Sequence, residues 1–273
     1  MKNLDKKTVE SFGHEWESFD QSKIKNESFK VFMKYFSIFP WYKISNLSEG
    51  FDMGCGSGRF AQFVAPKVKL LNCIDPSNAI NIAKQNMKNF NNIKYFKKSV
   101  NNCGLRHNSQ DFGFSIGVLH HIPDTQDGIK ECVKLLKKNA PLLLYLYYSF
   151  ENRPYWFKVL WQISNFCRSF ISKMPSFLKD ITCEFIAIII YFPLSRLVLI
   201  LIKLGIKVKN FPLYEYHDKS FYTLRTDARD RFGTPLEKRF NKTEIKKMMK
   251  EAGLKKIKFR KSAPFWTVVG FKS

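Results

Sequence analysis

Seven consecutive residues carry the densest chemical signal in this chain: Asp52-Met53-Gly54-Cys55-Gly56-Ser57-Gly58. Three glycines at alternate positions let a backbone turn tightly and let a ligand approach main-chain atoms. An acid two residues before the first glycine suits a cationic group at that turn. Asp75 stands 23 residues after Asp52, where a carboxylate can accept hydrogen bonds from both hydroxyls of a ribose. A dinucleotide fingerprint would need G-x-G-x-x-G, but here the glycines run G-x-G-x-G and Arg59 occupies the place of the third fingerprint glycine. The pattern therefore favours a nucleoside bearing a positive charge over one bearing a pyrophosphate. Farther on, His120-His121 pair two imidazoles, groups that titrate near neutrality and can act as general bases. The same pair can equally shape a pocket without moving a proton.

These residues need a frame that places them together. Phe51–Met53 reads as a strand before the glycine turn, and Arg59–Ala65 as the start of a helix. The alternation continues through strands Lys69–Ile74, Ile93–Lys97, Phe112–Val118 and Pro141–Tyr148, with helices Ser77–Phe90 and Asp127–Lys138 between them. Strands alternating with helices argue for a parallel α/β sheet. The pattern stops after residue 150 and resumes at Asn241, where Asn241 and Glu244 make a capping box. A helix and two strands, Lys256–Arg260 and Thr267–Phe271, then close the chain. The expected organisation is an N-terminal helical lid (1–45), a core (46–150), a helical cap (151–240) and the end of the core (241–273). The cap is far longer than the roughly 2–6 residues of an ordinary strand–helix loop. Its position after the fifth strand predicts that it overhangs the carboxyl edge of the sheet and chooses the substrate.

The segments FDMGCGSG, NCIDPS and DFGFSIGVLHHIPD, spanning Phe51 to Asp124, resemble the first motif, the second motif and the fourth strand of class I S-adenosylmethionine-dependent methyltransferases. The likeness is to the ubiquinone/menaquinone-biosynthesis and small-molecule type. It implies an α/β Rossmann-like sheet of seven strands, mostly parallel with the last strand reversed. It also implies that Asp52, Gly54, Cys55, Gly56 and Gly58 surround the methionine part of S-adenosylmethionine. Asp75 and Pro76 flank the adenosine, and Gly117 and Val118 follow the fourth strand. Relatives often carry an acid after the third strand that meets the adenine amino group. Here Ser99 or Asn101 must serve. FGHEWESF (Phe12–Phe19) and DRFGTPLEKRF (Asp230–Phe240) are also similar to segments of such enzymes, without implying a particular reaction. The expected activity is methyl transfer to an O, N or C nucleophile on a small or lipid-like acceptor. His120 and His121 are the candidate catalytic residues, and Trp16 and Phe12 are candidates for closing over the cofactor.

The remaining features constrain the partner. Lys+Arg is 46 against 23 Asp+Glu, a net charge of +23, which raises nucleic acid or a membrane surface as partners. The excess is mostly lysine in a chain also rich in Asn, Ile and Phe, residues with A/T-rich codons, and it forms no long block. Base-methylating enzymes carry an Asn/Asp-Pro-Pro-aromatic turn after the fourth strand. Gly117-Val118-Leu119-His120 stands there instead, so nucleic acid is not the expected acceptor. A non-enzymatic cofactor-binding, membrane-associated protein is the second alternative. Six cysteines without a C-x-x-C pair show no metal-ligand spacing and point to reduced thiols in a cytosol. The N-terminus, with Lys2, Asp5, Lys6 and Lys7, lacks the pattern of a secretory signal. Arg225, Arg229, Arg231 and Arg239 are four of ten arginines. They suit an anionic acceptor group or a network with Asp227, Asp230 and Glu237. Residues 181–206 are strongly apolar. Pro193, Ser195 and Arg196 break the run, so a buried hairpin within the cap is expected rather than a span. Peripheral membrane contact is the alternative, supported by a nearby amphipathic pattern of Trp156, Leu160, Ile163, Phe166 and Phe170. Oligomeric state is not legible from these patterns.

Overall fold

The computed structural model describes residues 3–273, so Lys2 and the start of the expected lid lie outside the described residues. Two compact units emerge: Met1–Ser149 with Leu236–Ser273, and Phe150–Pro235. In the first unit, β1 (Glu49–Met53), β2 (Leu70–Ile74), β3 (Ile93–Phe96), β4 (Phe112–Ile116), β5 (Pro141–Tyr145), β6 (Leu254–Phe259) and β7 (Val268–Lys272) form one sheet in the order β3-β2-β1-β4-β5-β7-β6. The pairs β1·β2, β1·β4, β2·β3 and β4·β5 are parallel, and β7 is antiparallel to both its neighbours. This is the Rossmann-like sheet with a reversed last strand. The strand order reverses at β1, so the carboxyl ends of β1 and β4 open a crevice on either side of the glycine turn.

Both faces of the sheet are buried. Ile129, Val133, Ile245 and Met249 cover one face, from helix α5 (Thr125–Leu135) and from the helix Lys242–Glu251. The latter helix starts with the expected capping box of Asn241 and Glu244. Phe32, Phe36, Val64, Ile80 and Ala83 cover the other, supplied by α2 (Lys25–Tyr35) and the turn after it, α3 (Ala61–Val64) and α4 (Ala79–Asn86). Two strand glycines make the central pairing possible. Gly50 lies opposite Phe112 and Gly113 opposite Phe51. A Cβ on either glycine would come within 2.3 Å of the facing ring, so each aromatic occupies the space its partner's missing side chain leaves. Helix α1 (Lys6–Ser18) begins at an Asp5 cap, whose carboxylate accepts from the Thr8 amide.

Several boundaries differ from expectation. The strand expected to reach Val118 ends at Ile116, because Gly117 at φ 77° turns the chain. The helix expected from Arg59 is only four residues long, since Pro66 converts its continuation into a 3₁₀ turn. Residues 236–240, expected in the cap, belong to the first unit: Phe240 bridges Tyr148 in parallel, and the Lys238 amide donates to the His120 carbonyl.

The second unit contains α6 (Tyr155–Ile171), α7 (Ser176–Ile186), α8 (Phe192–Lys203) and α9 (Phe221–Gly233). The expected hairpin is absent. A π-turn over Ala187–Tyr191 joins α7 to α8, so one continuous helix runs from Ser176 to Lys203. The wider turn accommodates Pro193, which cannot donate to the helix ladder. Arg196 does not interrupt the helix either, because its guanidinium donates to the His217 and Lys219 carbonyls. The small core of this unit, including Ile171, Cys183, Ala187 and Leu224, lies where α6, α7 and α9 meet. Glu184 pairs with Arg225 and Asp180 with Arg229, both at 2.6 Å, and Arg231 donates to the Ser164 hydroxyl. Arg239 belongs to the first unit. Arg225, Arg229 and Arg231 thus engage structural partners within the unit, among them Glu184, Asp180 and Ser164, which the expected network did not name.

Candidate active site at the carboxyl edge of the sheet

Strand β1 ends at Met53 and delivers the chain into the glycine turn. Gly54, Gly56 and Gly58 take φ values of 80°, 53° and 81°, a left-handed region that costs other residues about 1–2 kcal/mol. The turn is anchored from beneath, since the Gly54 and Cys55 amides both donate to the Ile74 carbonyl at the end of β2. Side chains press against all three glycines. The Val118 methyls stand 2.4 Å from where a Gly54 Cβ would be, Trp16 of α1 lies 3.1 Å from that of Gly56, and the Met87 methyl 2.5 Å from that of Gly58.

Asp75 follows β2 and is buried. One oxygen accepts from the Gly56 amide (3.0 Å), and the other from the Ser77 amide (2.9 Å) and hydroxyl (2.6 Å). A carboxylate offers about four acceptor positions, so three are committed to holding the turn and about one is left. Asp52 is also buried. Burial, with the neighbouring Asp75 carboxylate, holds its carboxyl well above the ordinary range. Burial likewise raises Asp75, opposed by the bonds from Ser77 and Gly56. A cation beside this acidic pair would favour its ionised form. The buried Cys55 thiol is pushed well up, first by burial, and so stays a neutral wall rather than a nucleophile.

On the other side of the turn, Met53, Gly54, Ile74, Pro76, Ser99 and Val118 line a solvent-open cleft of about 430 Å³ together with His121 and the N-terminal residues Asn3, Leu4, Asp5 and Val9. The structure therefore brings five of the sequence-predicted residues to this cleft: Gly54, Pro76, Ser99, Val118 and His121. Asp52, Cys55, Gly56, Gly58, Asp75, Gly117 and His120 do not line it. Asn3 fastens the N-terminal segment by donating to the Asp124 carbonyl, and Asn101 donates to the Asp127 carboxylate at 2.6 Å. The Asn101 amide nitrogen is thus spent locally, while the Ser99 hydroxyl stands at the cleft.

His120 and His121 sit in a 3₁₀ turn, Leu119–His121. His121 Nδ1 meets the Leu236 carbonyl at 2.6 Å. A carbonyl only accepts, so Nδ1 carries a proton, while Nε2 is buried. Phe12 of α1 packs edge-on against the same ring at 4.9 Å. His120 is fully buried between His121 (4.0 Å between rings) and Tyr147 (3.8 Å). Neither of its ring nitrogens has a hydrogen-bond partner. Burial, then His121 and Arg239, depress its pKa well below the usual value, which keeps it neutral. The Arg239 guanidinium lies over the Tyr147 ring at 5.0 Å and pairs with Glu237 at 2.8 Å. Glu237 was expected as an arginine partner, but Tyr147 and the placement of the Arg239–Glu237 pair beside the imidazoles were not anticipated. The signal was present in the LEKRF segment, but nothing in its spacing tied it to the end of β5. Among the described residues, no group of three or more His, Cys, Asp or Glu side chains could hold a metal ion.

Residues 51–144 match the family described as "Methyltransferase domain". No curated protein matches the chain in sequence. Solved structures with the same fold include a Bacillus halodurans C-125 protein assigned as a methyltransferase (15% identity, 83% of this chain and 71% of that one, TM-score 0.52). A Haloferax volcanii protein assigned likewise, solved with the Trm112 methyltransferase activator, aligns over 95% of this chain and 96% of its own at 11% identity and TM-score 0.56. A Thermotoga maritima S-adenosylmethionine-dependent methyltransferase aligns over 96% and 100% at 14% identity and TM-score 0.51. Residues 51–144 thus carry a likeness to a methyltransferase domain, and the solved structures share the fold of the sheet around it.

Proposed function

We propose, from a core that resembles a class I methyltransferase domain, that this chain transfers the methyl group of S-adenosylmethionine to a nucleophilic O, N or C on a small-molecule or lipid-like acceptor. The observation that carries the reading is the glycine turn held by Asp75, opening beside a cleft whose mostly apolar lining also includes Asn3, Asp5, Lys98, Ser99 and His121. The residues fit the cofactor. Gly54 brings main-chain atoms to the cleft, the acidic pair Asp52 and Asp75 behind the turn suits a cationic amino acid with about one acceptor position of Asp75 left for a ribose, and Ser99 lines the cleft where an adenine would lie. S-adenosylmethionine supplies an electrophilic methyl on a sulfonium whose charge is lost during transfer.

The protein's part is positioning and proton transfer. His121, with Nδ1 held by the Leu236 carbonyl, is the candidate proton acceptor for an acceptor hydroxyl or amine, through an Nε2 that a bound acceptor must uncover. His120, buried, neutral and stacked against His121 and Tyr147, is the positioning residue that holds that imidazole in place. Arg239, paired with Glu237 over Tyr147, keeps local positive charge that disfavours protonation of His120. A nucleic-acid acceptor is favoured by no feature of this turn.

The test is transfer of labelled methyl from S-adenosylmethionine to an extract of polar lipids and small amphiphiles. His121→Gln removes the base while keeping a polar side chain. It should lower kcat on the order of a hundredfold or more for an oxygen acceptor, with cofactor affinity retained. Unchanged turnover in His121→Gln would leave the imidazole as a wall of the pocket and remove it from the mechanism.

A further inference from the structure

The second unit is inside out for a water-soluble helical domain. Large apolar side chains exposed to solvent cluster there: 18 of the 22 found among the described residues lie between Tyr155 and Ile206. The core of this unit holds only seven buried apolar residues. From Phe177 to Ile202 every exposed residue is apolar, with Phe177, Phe185, Ile189 and Ile200 more than half exposed. The polar residues of the same stretch turn the other way. Asp180 and Glu184 meet Arg229 and Arg225 of α9, and Arg196 meets main-chain carbonyls. Helix α6 repeats the inversion. Trp156, Ile163, Phe166 and Phe170 are half exposed or more, whereas Arg168 is buried and donates to the Thr234 and Pro235 carbonyls. A soluble helix puts its polar side in water and its apolar stripe against the core. Two helices with the opposite assignment leave large apolar side chains in water, where a soluble monomer keeps its exposed apolar patches small.

We infer that this face of α6 and α7–α8 inserts into one leaflet of an anionic phospholipid bilayer and holds the protein there as a monotopic, non-spanning attachment. Lysines bracket the stripe. Exposed Lys173 precedes α7, exposed Lys203 ends α8 and exposed Lys207 and Lys209 follow it, with no acidic residue between Lys203 and Tyr214. Lysines at the ends of an apolar helix reach the headgroup level and are attracted by anionic lipid. At 28 residues the Ser176–Lys203 helix is long enough to cross a bilayer, and only 22% of its most apolar window is buried. Crossing is disfavoured by its inner face, because the Asp180 and Glu184 carboxylates are held there by α9. A span would carry those charges, and α9 with them, into hydrocarbon. Lying in the interface, the helix buries its apolar side in lipid and keeps the paired charges on the protein side. The inference extends the lipid-like acceptor reading by placing the enzyme where such acceptors reside, and it stands without any turnover.

The experiment is flotation of the full chain with vesicles, either phosphatidylcholine alone or phosphatidylcholine mixed three to one with phosphatidylglycerol. The wild-type chain should float with the mixed vesicles and more weakly with the neutral ones. The triple variant Phe185→Glu/Ile189→Glu/Ile200→Glu changes exposed positions only. It should lose at least about tenfold in partition while binding S-adenosylhomocysteine as before. A second measurement needs no such substitution: Cys167, the one exposed cysteine among the described residues, lies on α6 beside Phe166. A polarity-sensitive fluorophore on Cys167 should shift to the blue when mixed vesicles are added. A wild-type chain that does not float, a folded triple variant that floats equally well, or a label that does not respond would each overturn the inference. A stable lipid-free dimer that shields the label would also overturn it, assigning the face to a second copy of the chain. Loss of flotation with S-adenosylhomocysteine binding intact keeps this outcome separate from the methyltransferase reading.

Discussion

Gly54 tests the architecture of the site at a single atom. Two separate costs await a methyl group there: a backbone at φ 80° and two Val118 methyls 2.4 Å from the new Cβ. Gly117 shares the first cost without the second, having φ 77° and nothing within 4 Å of an added Cβ. Gly117→Ala should therefore destabilise the chain by about 1–2 kcal/mol, the strain of a left-handed alanine. Gly54→Ala adds overpacking, about 1–3 kcal/mol more. Because Val118 lines the cleft, the displaced side chain should also weaken S-adenosylhomocysteine binding. The clash can be relieved in part. In a Val118→Ala background the facing Cβ still lies 2.8 Å from the new one, so Gly54→Ala should cost less than in the wild-type chain but more than Gly117→Ala, a coupling of about 1 kcal/mol or more between contacting residues. Urea unfolding of the four variants and the wild-type chain, followed by a fluorescence probe of the first unit, measures these differences. Equal costs for Gly54→Ala and Gly117→Ala, or additive behaviour in the double variant, would refute the packing assigned to Val118.

His120 predicts a pH dependence. Its folded pKa lies below the ordinary 6.5, so below that pH the unfolded chain binds a proton that the folded chain refuses, and stability falls by about 1.4 kcal/mol per pH unit until the folded pKa is reached. The buried acids Asp52 and Asp75 act oppositely, since raised pKa values favour the folded state on acidification. The comparison that isolates His120 is with His120→Phe, which keeps the ring stack. The melting temperature of the variant should gain on the wild type steadily as pH drops below about 6.5, and parallel curves would rule the effect out. In the second unit, Arg229 is almost wholly buried, whereas Arg225 and Glu184 are each about a third exposed. Arg229→Gln should cost about 2–3 kcal/mol and Arg225→Gln under about 1 kcal/mol. Chemical denaturation that shows equal small losses would reopen a binding role for these arginines.

The cofactor half of the site was legible because its chemistry is local in the chain. A glycine turn between a strand and a helix, and an acid at the end of the next strand, are spacings that the parallel sheet converts directly into proximity. The alternation of strands and helices likewise implied a parallel α/β sheet, and the resemblance to class I methyltransferases implied its reversed last strand. What escaped was non-local or inverted. Leu236 to Phe240 join the site by pairing along the end of β5, and no periodicity marks an extended segment of five residues. The helix from Ser176 to Lys203 read as broken because proline ordinarily ends a helix, whereas a π-turn just before Pro193 lets it continue. Periodicity did identify the apolar stripe of α6. It cannot tell whether protein or solvent covers such a stripe, and the exposure of Phe166 and Phe170 came only from the packing of Arg168 on the opposite side.

The most direct test of the central claim is calorimetric titration of the full chain with S-adenosylhomocysteine, wild type against Asp75→Asn. The substitution keeps the shape of the side chain but removes the charge that accepts from the Gly56 amide and, in this account, from the ribose. The prediction is a single saturable site on the wild-type chain, weakened about tenfold or more in the variant, and no comparable binding of a nicotinamide dinucleotide. A folded wild-type chain that gives no heat with S-adenosylhomocysteine, or that binds the dinucleotide equally well, would contradict it.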